Sequence, residues 1–112
     1  MIQRVIYTAA IDTATSGDNV LVAGAPGLLI KVVGYAIVAD AAVAVRWRTS
    51  TTQPPGQVNL SGAMSFAANG GISAWGAKEV PVLTVPMGAD LVLNLSSAVG
   101  VRGHFAYYQA QP

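Results

Sequence analysis

The stretch from residue 16 to residue 39, SGDNVLVAGAPGLLIKVVGYAIVA, limits what this chain can fold into more than any other. Polar turn formers open it, a short apolar segment follows, and Ala25-Pro26-Gly27 interrupts the chain before a longer apolar segment. Pro presets φ and Gly accepts a positive φ, so this tripeptide turns the backbone. Counted with a period of two, residues 28–39 are apolar on both sides. Leu28, Ile30, Val32, Ala36 and Val38 share one face, and Leu29, Val33, Tyr35 and Ile37 share the other, interrupted by Lys31. A strand that is apolar on both faces is covered on both. In a two-sheet sandwich one face meets the opposite sheet, which leaves the second for a neighbouring subunit. Gly34, in mid-strand, marks a bulge or a close backbone approach.

The remaining chain repeats this short-strand grammar. No segment keeps a period of 3.6 over three turns. Strands are expected at 3–11, 20–23, 28–39, 42–50, 58–68, 72–75, 79–85, 89–96 and 101–109. In the first, Val5, Tyr7, Ala9 and Ile11 share a face. In the fourth, Val43, Val45 and Trp47 point inward while Arg46 and Arg48 point outward, and Leu91, Leu93 and Leu95 point inward in the eighth. Turn formers separate these segments: 12–19, 49–56 with its Pro-Pro pair, Asn69-Gly70-Gly71, Pro86-Met87-Gly88 and 98–100. Pro81 places its strand at an edge or a bulge. Eight or nine short strands with turns every 8–12 residues are the pattern of an all-β sandwich or jelly roll. Sequential pairing alone does not separate a jelly roll from an immunoglobulin-like sandwich, although the Cys…Trp…Cys marker of the latter is missing. The expected fold is an all-β antiparallel sandwich, jelly-roll-like, about eight strands, with little or no helix. The 112 residues form a single domain, 1–112.

Composition matters here for what it leaves unburied. Charged residues are 10% and hydrophobic residues 53% of the chain, against about 25% charged in an average domain. A domain of this size cannot hide that much apolar surface in one core, so part of it is expected to lie against other subunits. The basic residues Arg4, Lys31, Arg46, Arg48, Lys78 and Arg102 are scattered and form no stripe for a nucleic acid backbone. No cysteine is present, which removes disulfides and thiolate metal sites. No apolar run reaches the roughly 20 residues of a membrane helix. The opening MIQRVIYTAAID lacks an apolar core behind a basic start, so no secretory leader is expected.

Catalytic and ligand signatures are weak. The acids Asp12, Asp18, Asp40, Glu79 and Asp90 fall mostly in turns, where Asp commonly bonds its own backbone. His104, the single histidine, lies among aromatics with no nucleophile motif to serve, and a packed or interface role is expected. Ser16, Asp18 and Asn19 with Asp12 offer oxygen ligands for calcium, but no EF-hand pattern follows and a plain loop is the simpler reading. No phosphate-binding glycine motif occurs. No catalytic residue, cofactor or metal is therefore assigned. Arg46 and Arg48 form a solvated pair, or an inter-subunit ion pair with an acid such as Asp40 or Glu79. Trp75, in ISAWGAKE, is the best exposed aromatic, suited to packing, subunit contact or a sugar.

Several segments, in order, resemble a family of small virion proteins of tailed bacteriophages. They are SGDN-x-LVA at 16–23, PG-x-x-IKV at 26–32, Gly34-Tyr35, LSG at 60–62, AANGGI at 67–72, MGADLVLNLS at 87–96 and V-x-GHFAY at 101–107. Chains of this kind are capsid decoration or cement proteins, or domains of head and tail fibres. The resemblance implies a jelly roll that binds the outside of a phage head as a homotrimer. The partners implied are the chain itself and the major capsid protein, without nucleic acid or membrane. The place implied is the outer capsid surface, after synthesis in the host cytoplasm. On that reading Leu29, Val33, Tyr35 and Ile37 are candidates for the subunit interface, and the terminal Met1, Ile2, Gln3 and Arg4 for the capsid contact. The alternative is a fibre or lectin-like module that binds cell-surface glycan. The expected native mass is close to three times 11.4 kDa. Size-exclusion chromatography with light scattering checks this, and a monomer at micromolar concentration contradicts it.

Overall fold

The computed structural model describes residues 5–50, 57–77 and 79–111. Among them are nine strands and no helix: β1 (Tyr7–Thr13), β2 (Gly17–Val22), β3 (Leu29–Ala39), β4 (Val43–Thr49), β5 (Met64–Phe66), β6 (Gly71–Trp75), β7 (Leu83–Val85), β8 (Leu91–Leu95) and β9 (Val101–Ala110). All pairings are antiparallel. One sheet runs β1-β9-β3, with β6 and β7 end to end along the far side of β3, and the other runs β2-β8-β4-β5. Counting β6 and β7 as one interrupted strand gives two four-stranded sheets. The chain crosses between them at every connection except β4–β5 and β6–β7. This is the strand order of a jelly roll, in which each long strand pairs with one distant in sequence.

The period-two reading holds where the strands are straight. β4 alternates buried and half-buried residues along its whole length, with Val43, Val45, Trp47 and Thr49 buried. Leu91, Leu93 and Leu95 of β8 lie opposite them in register. In β1, Ile11 is buried, Ala9 is partly buried and Tyr7 is exposed, so the alternation is right and burial fades toward the start of the strand.

β3 departs from the expected pattern at one residue. Its pairing with β9 shifts register between Val32 and Gly34, so Val33 is an extra residue with no Cα partner. A bulge of this kind returns the strand to its original face after an apparent slip. Ile30 and Val32 before it, and Tyr35, Ile37 and Ala39 after it, therefore all point into the core. The two faces expected by counting through Gly34 are thus wrong beyond it. The break between β6 and β7 lies opposite the bulge. The Val33 carbonyl accepts from Gly76 N–H and the Val32 carbonyl from Val82 N–H, each at 2.8 Å, so the backbone groups the bulge displaces remain paired.

Two other expectations are corrected. The strand expected at 58–68 is reduced to Met64–Phe66 and a single bridge between Asn59 and Arg48. Trp47 explains the loss: its N–H donates to the Ser61 hydroxyl, and its carbonyl accepts from both Leu60 and Ser61. A side-chain acceptor has replaced a ladder bond. The polar loop expected at 12–19 is shorter than its composition implies, because β1 runs to Thr13 and β2 begins at Gly17.

The core is built around Trp47, fully buried, which joins the two sheets. Its ring lies 4.8 Å from that of Tyr35 and 6.4 Å from that of Phe105, both on the opposite sheet. From Phe105 the row continues to Tyr107 at 5.4 Å and from Tyr107 to Tyr7 at 5.8 Å, reaching the β1 edge. Gly103, opposite Ile11 and Ile37, has φ +158, and a Cβ there would stand 1.8 Å from the Ala36 carbonyl oxygen. Replacing Trp47 by Ala removes the link between the sheets, and the expected loss is about 3–5 kcal/mol. Denaturant unfolding with an unchanged m value checks this, and a loss below 1 kcal/mol contradicts it.

Candidate functional site

The outer face of the β1-β9-β3-β6 sheet is laid out by register in three rows. The first is Thr8, Ala106, Gly34 and Trp75; the second is Ala10, His104, Ala36 and Ser73; the third is Asp12, Arg102, Val38 and Gly71. Most of these side chains are small, and the large ones are Trp75, His104 and Arg102. Trp75 is 54% exposed. Its six-membered ring covers Gly34: a Cβ at that position would lie 1.9 Å from Cε3 and 2.5 Å from Cδ2. The ring is therefore laid along the sheet, and glycine at position 34 is what permits it. His104 stands beside it, with ring centroids 5.8 Å apart and planes at 39°. An aromatic face held this way offers a π surface to an apolar or C–H-rich ligand face, while the imidazole supplies polar atoms at the rim.

Charge on this face is gathered in the third row. Arg102 Nε lies 3.5 Å from Asp12 Oδ1, and Arg102 Nη1 lies 3.3 Å from Asp40 Oδ2. These side chains are mostly in solvent, so each pair contributes roughly 0–1 kcal/mol. Asp40 also receives the chain at the β8–β9 turn through its own N–H, which donates to the Gly100 carbonyl at 2.8 Å.

The outer face of the second sheet is organised by hydrogen bonds. Arg48 donates to Gln57 Oε1, Gln57 donates to Asp18 Oδ2 at 3.0 Å, and Asn94 donates to Asp18 Oδ1 at 2.7 Å. Val92, outward on β8 between Val20 and Arg48, is fully buried. Arg46 and Arg48 do point outward, but they are half-buried on this face. The SGDN run serves the β1–β2 turn. Asn19 Nδ2 donates to the carbonyls of Thr15, Gly17 and Leu93, and its Oδ1 accepts from Thr13 Oγ1. Asp90 Oδ1 accepts from Gly24 N–H at 2.6 Å. Among the described residues no group of three His, Cys, Asp or Glu is close enough to hold a metal ion.

The four residues expected at the subunit interface do not share a face. Tyr35 and Ile37 belong to the core of this chain, whereas Leu29 and Val33 are half-buried and stand apart from that core. The bulge at Val33 separates them. Met1, Ile2, Gln3 and Arg4 lie outside the described residues. Trp75 is exposed as expected, and the structure adds His104 and Gly34 to it. Their juxtaposition depends on β6 and β9 flanking β3, a pairing that no spacing in the sequence announces. Neither a protein-family model nor a curated protein matches the chain.

The Gly34→Ala variant is expected to lift the Trp75 ring off β3, at a cost of about 1–3 kcal/mol as for other overpacked sites. Acrylamide quenching should then rise for the exposed tryptophan while Trp47 stays protected. Unchanged quenching and unchanged stability would contradict the packing described.

Proposed function

We propose that this chain is a structural subunit of a phage-type virion, a decoration protein that binds the outside of the head as a homotrimer and works by contact rather than by chemistry. The observation that carries this reading is the jelly-roll strand order in a chain whose ordered motifs resemble those of such proteins. Jelly rolls serve both viral capsids and lectins, and a fold alone does not choose between them. The exposed apolar side chains add support, because Val5, Ile6, Tyr7, Ile72, Trp75 and Val80 stand in solvent on a chain with few charges. Exposed apolar side chains at the two lateral edges of a sheet suit contact with other protein surfaces.

A second reading, a glycan-binding fibre module, is favoured by one feature, the Trp75 ring held flat over Gly34 beside His104. The two readings separate experimentally. Co-sedimentation of the purified chain with expanded empty heads of the phage that encodes it should show saturable binding and raise the temperature at which the heads rupture. Trp75→Ala should leave that binding within about twofold. Absence of binding to heads, with glycan-array signals abolished by Trp75→Ala, would overturn the decoration reading in favour of the module.

A further inference from the structure

We infer that copies of this chain join edge to edge, β1 of one subunit pairing antiparallel with β6 of the next. The inference deepens the homotrimer reading above and rests on it.

Inner-facing residues at the two edges of the larger sheet carry the argument. Its inner rows run Tyr7-Tyr107-Val32-Leu83, Ala9-Phe105-Tyr35-Ala74 and Ile11-Gly103-Ile37-Ile72. Most of these row ends are covered, with Ile11 buried and Ala9, Ala74 and Leu83 half-buried, but one end at each edge is open. Tyr7 on β1 is 54% exposed and Ile72 on β6 is 41% exposed, although both point to the core side. Val5 and Ile6, also exposed, lead into β1 at the first edge. The core of the larger sheet is thus unfinished on both sides.

On these two edges, β1 and β6 carry none of the usual edge protection, whereas β7, which shares the second edge with β6, is short. Natural sheets blunt an edge with a bulge, a Pro, a Lys or brevity. In the smaller sheet, β2 is bulged between Val20 and Val22, and β5 has three residues. By contrast β1 pairs over seven residues without a register shift, carries neither Pro nor Lys, and holds Asp12 as its one charge. β6, GISAW, is uncharged.

Strand direction fixes which edges meet. The order β1-β9-β3-β6 is antiparallel throughout, so β1 and β6 run in opposite directions. A second copy that continues the sheet therefore lays its β6 antiparallel to β1, with inner face beside inner face. Tyr7 of one copy and Ile72 of the next then close the same apolar layer. The contact is heterologous, each copy using a different edge on either side, and such contacts close into rings when the rotation per step permits. Three copies is the ring that the decoration reading requires.

The test uses the full chain and one blocked edge at a time. Thr8 and Ser73 are exposed on the outer face of β1 and β6, so Thr8→Lys and Ser73→Lys place an edge lysine where the fold tolerates it. Each variant alone should elute near 11.4 kDa at concentrations where the unmodified chain is a trimer. Mixed in equal amounts, the two should form a dimer, because each retains the edge the other lacks. A trimer that survives either substitution, or a mixture that stays monomeric, overturns the edge pairing while leaving the trimer intact. An unmodified chain that is itself monomeric overturns the trimer reading and the edge pairing together.

Discussion

The structure depends on one extra residue in its longest strand. Val33 has no partner on β9, and that single insertion allows β3 to present Ile30, Val32, Tyr35, Ile37 and Ala39 to the same core. Without it, a strict alternation would send Tyr35 and Ile37 to the outer face and leave Trp47 without its aromatic neighbour on the opposite sheet. The break between β6 and β7 answers the bulge, with Gly76 and Val82 donating to the carbonyls on either side of it. Gly34, next to the bulge, lets Trp75 lie down on the outer face. The core alternation of β3, the break between β6 and β7 and the seat of Trp75 therefore meet at one local irregularity.

That irregularity also marks how far the sequence could be read. Strand positions were legible because Pro, Gly and Asn punctuate the chain and because β4 and β8 alternate without interruption. The all-β sandwich followed from those signals. Gly34 was recognisable as a bulge or close approach, but the position of the extra residue was not, because period-two counting has no means of skipping one position. The grouping of Leu29 and Val33 with Tyr35 and Ile37 failed there. The short β5 was hidden for a different reason: Ser61 competes for the Trp47 amide, which requires the two segments to be adjacent in space. Trp75 could be singled out by its neighbours in sequence, whereas its contact with His104 arises because β6 and β9, far apart in sequence, both pair with β3.

The functional surfaces follow the same division. The outer face, with the Trp75 ring laid over Gly34 beside His104, is a surface that local packing creates. The lateral edges are different, because they are where packing stops. Tyr7 and Ile72 are inner-facing side chains without a second wall, on strands that lack the devices by which edges are normally closed. A chain with so few charges has little means of keeping such edges soluble other than covering them. The edge-to-edge assembly inferred above would meet that need with backbone hydrogen bonds and continued apolar rows, and would leave Trp75 uncovered on the outer face.

Amide hydrogen exchange measured across a concentration series tests this account most directly. If sheets of neighbouring copies are continuous, the amides of β1 and β6 gain protection together as concentration rises, while those of β2 and β5, at the edges of the smaller sheet, do not change. Protection that is independent of concentration at β1 and β6, or that rises at β2 and β5 instead, would contradict it.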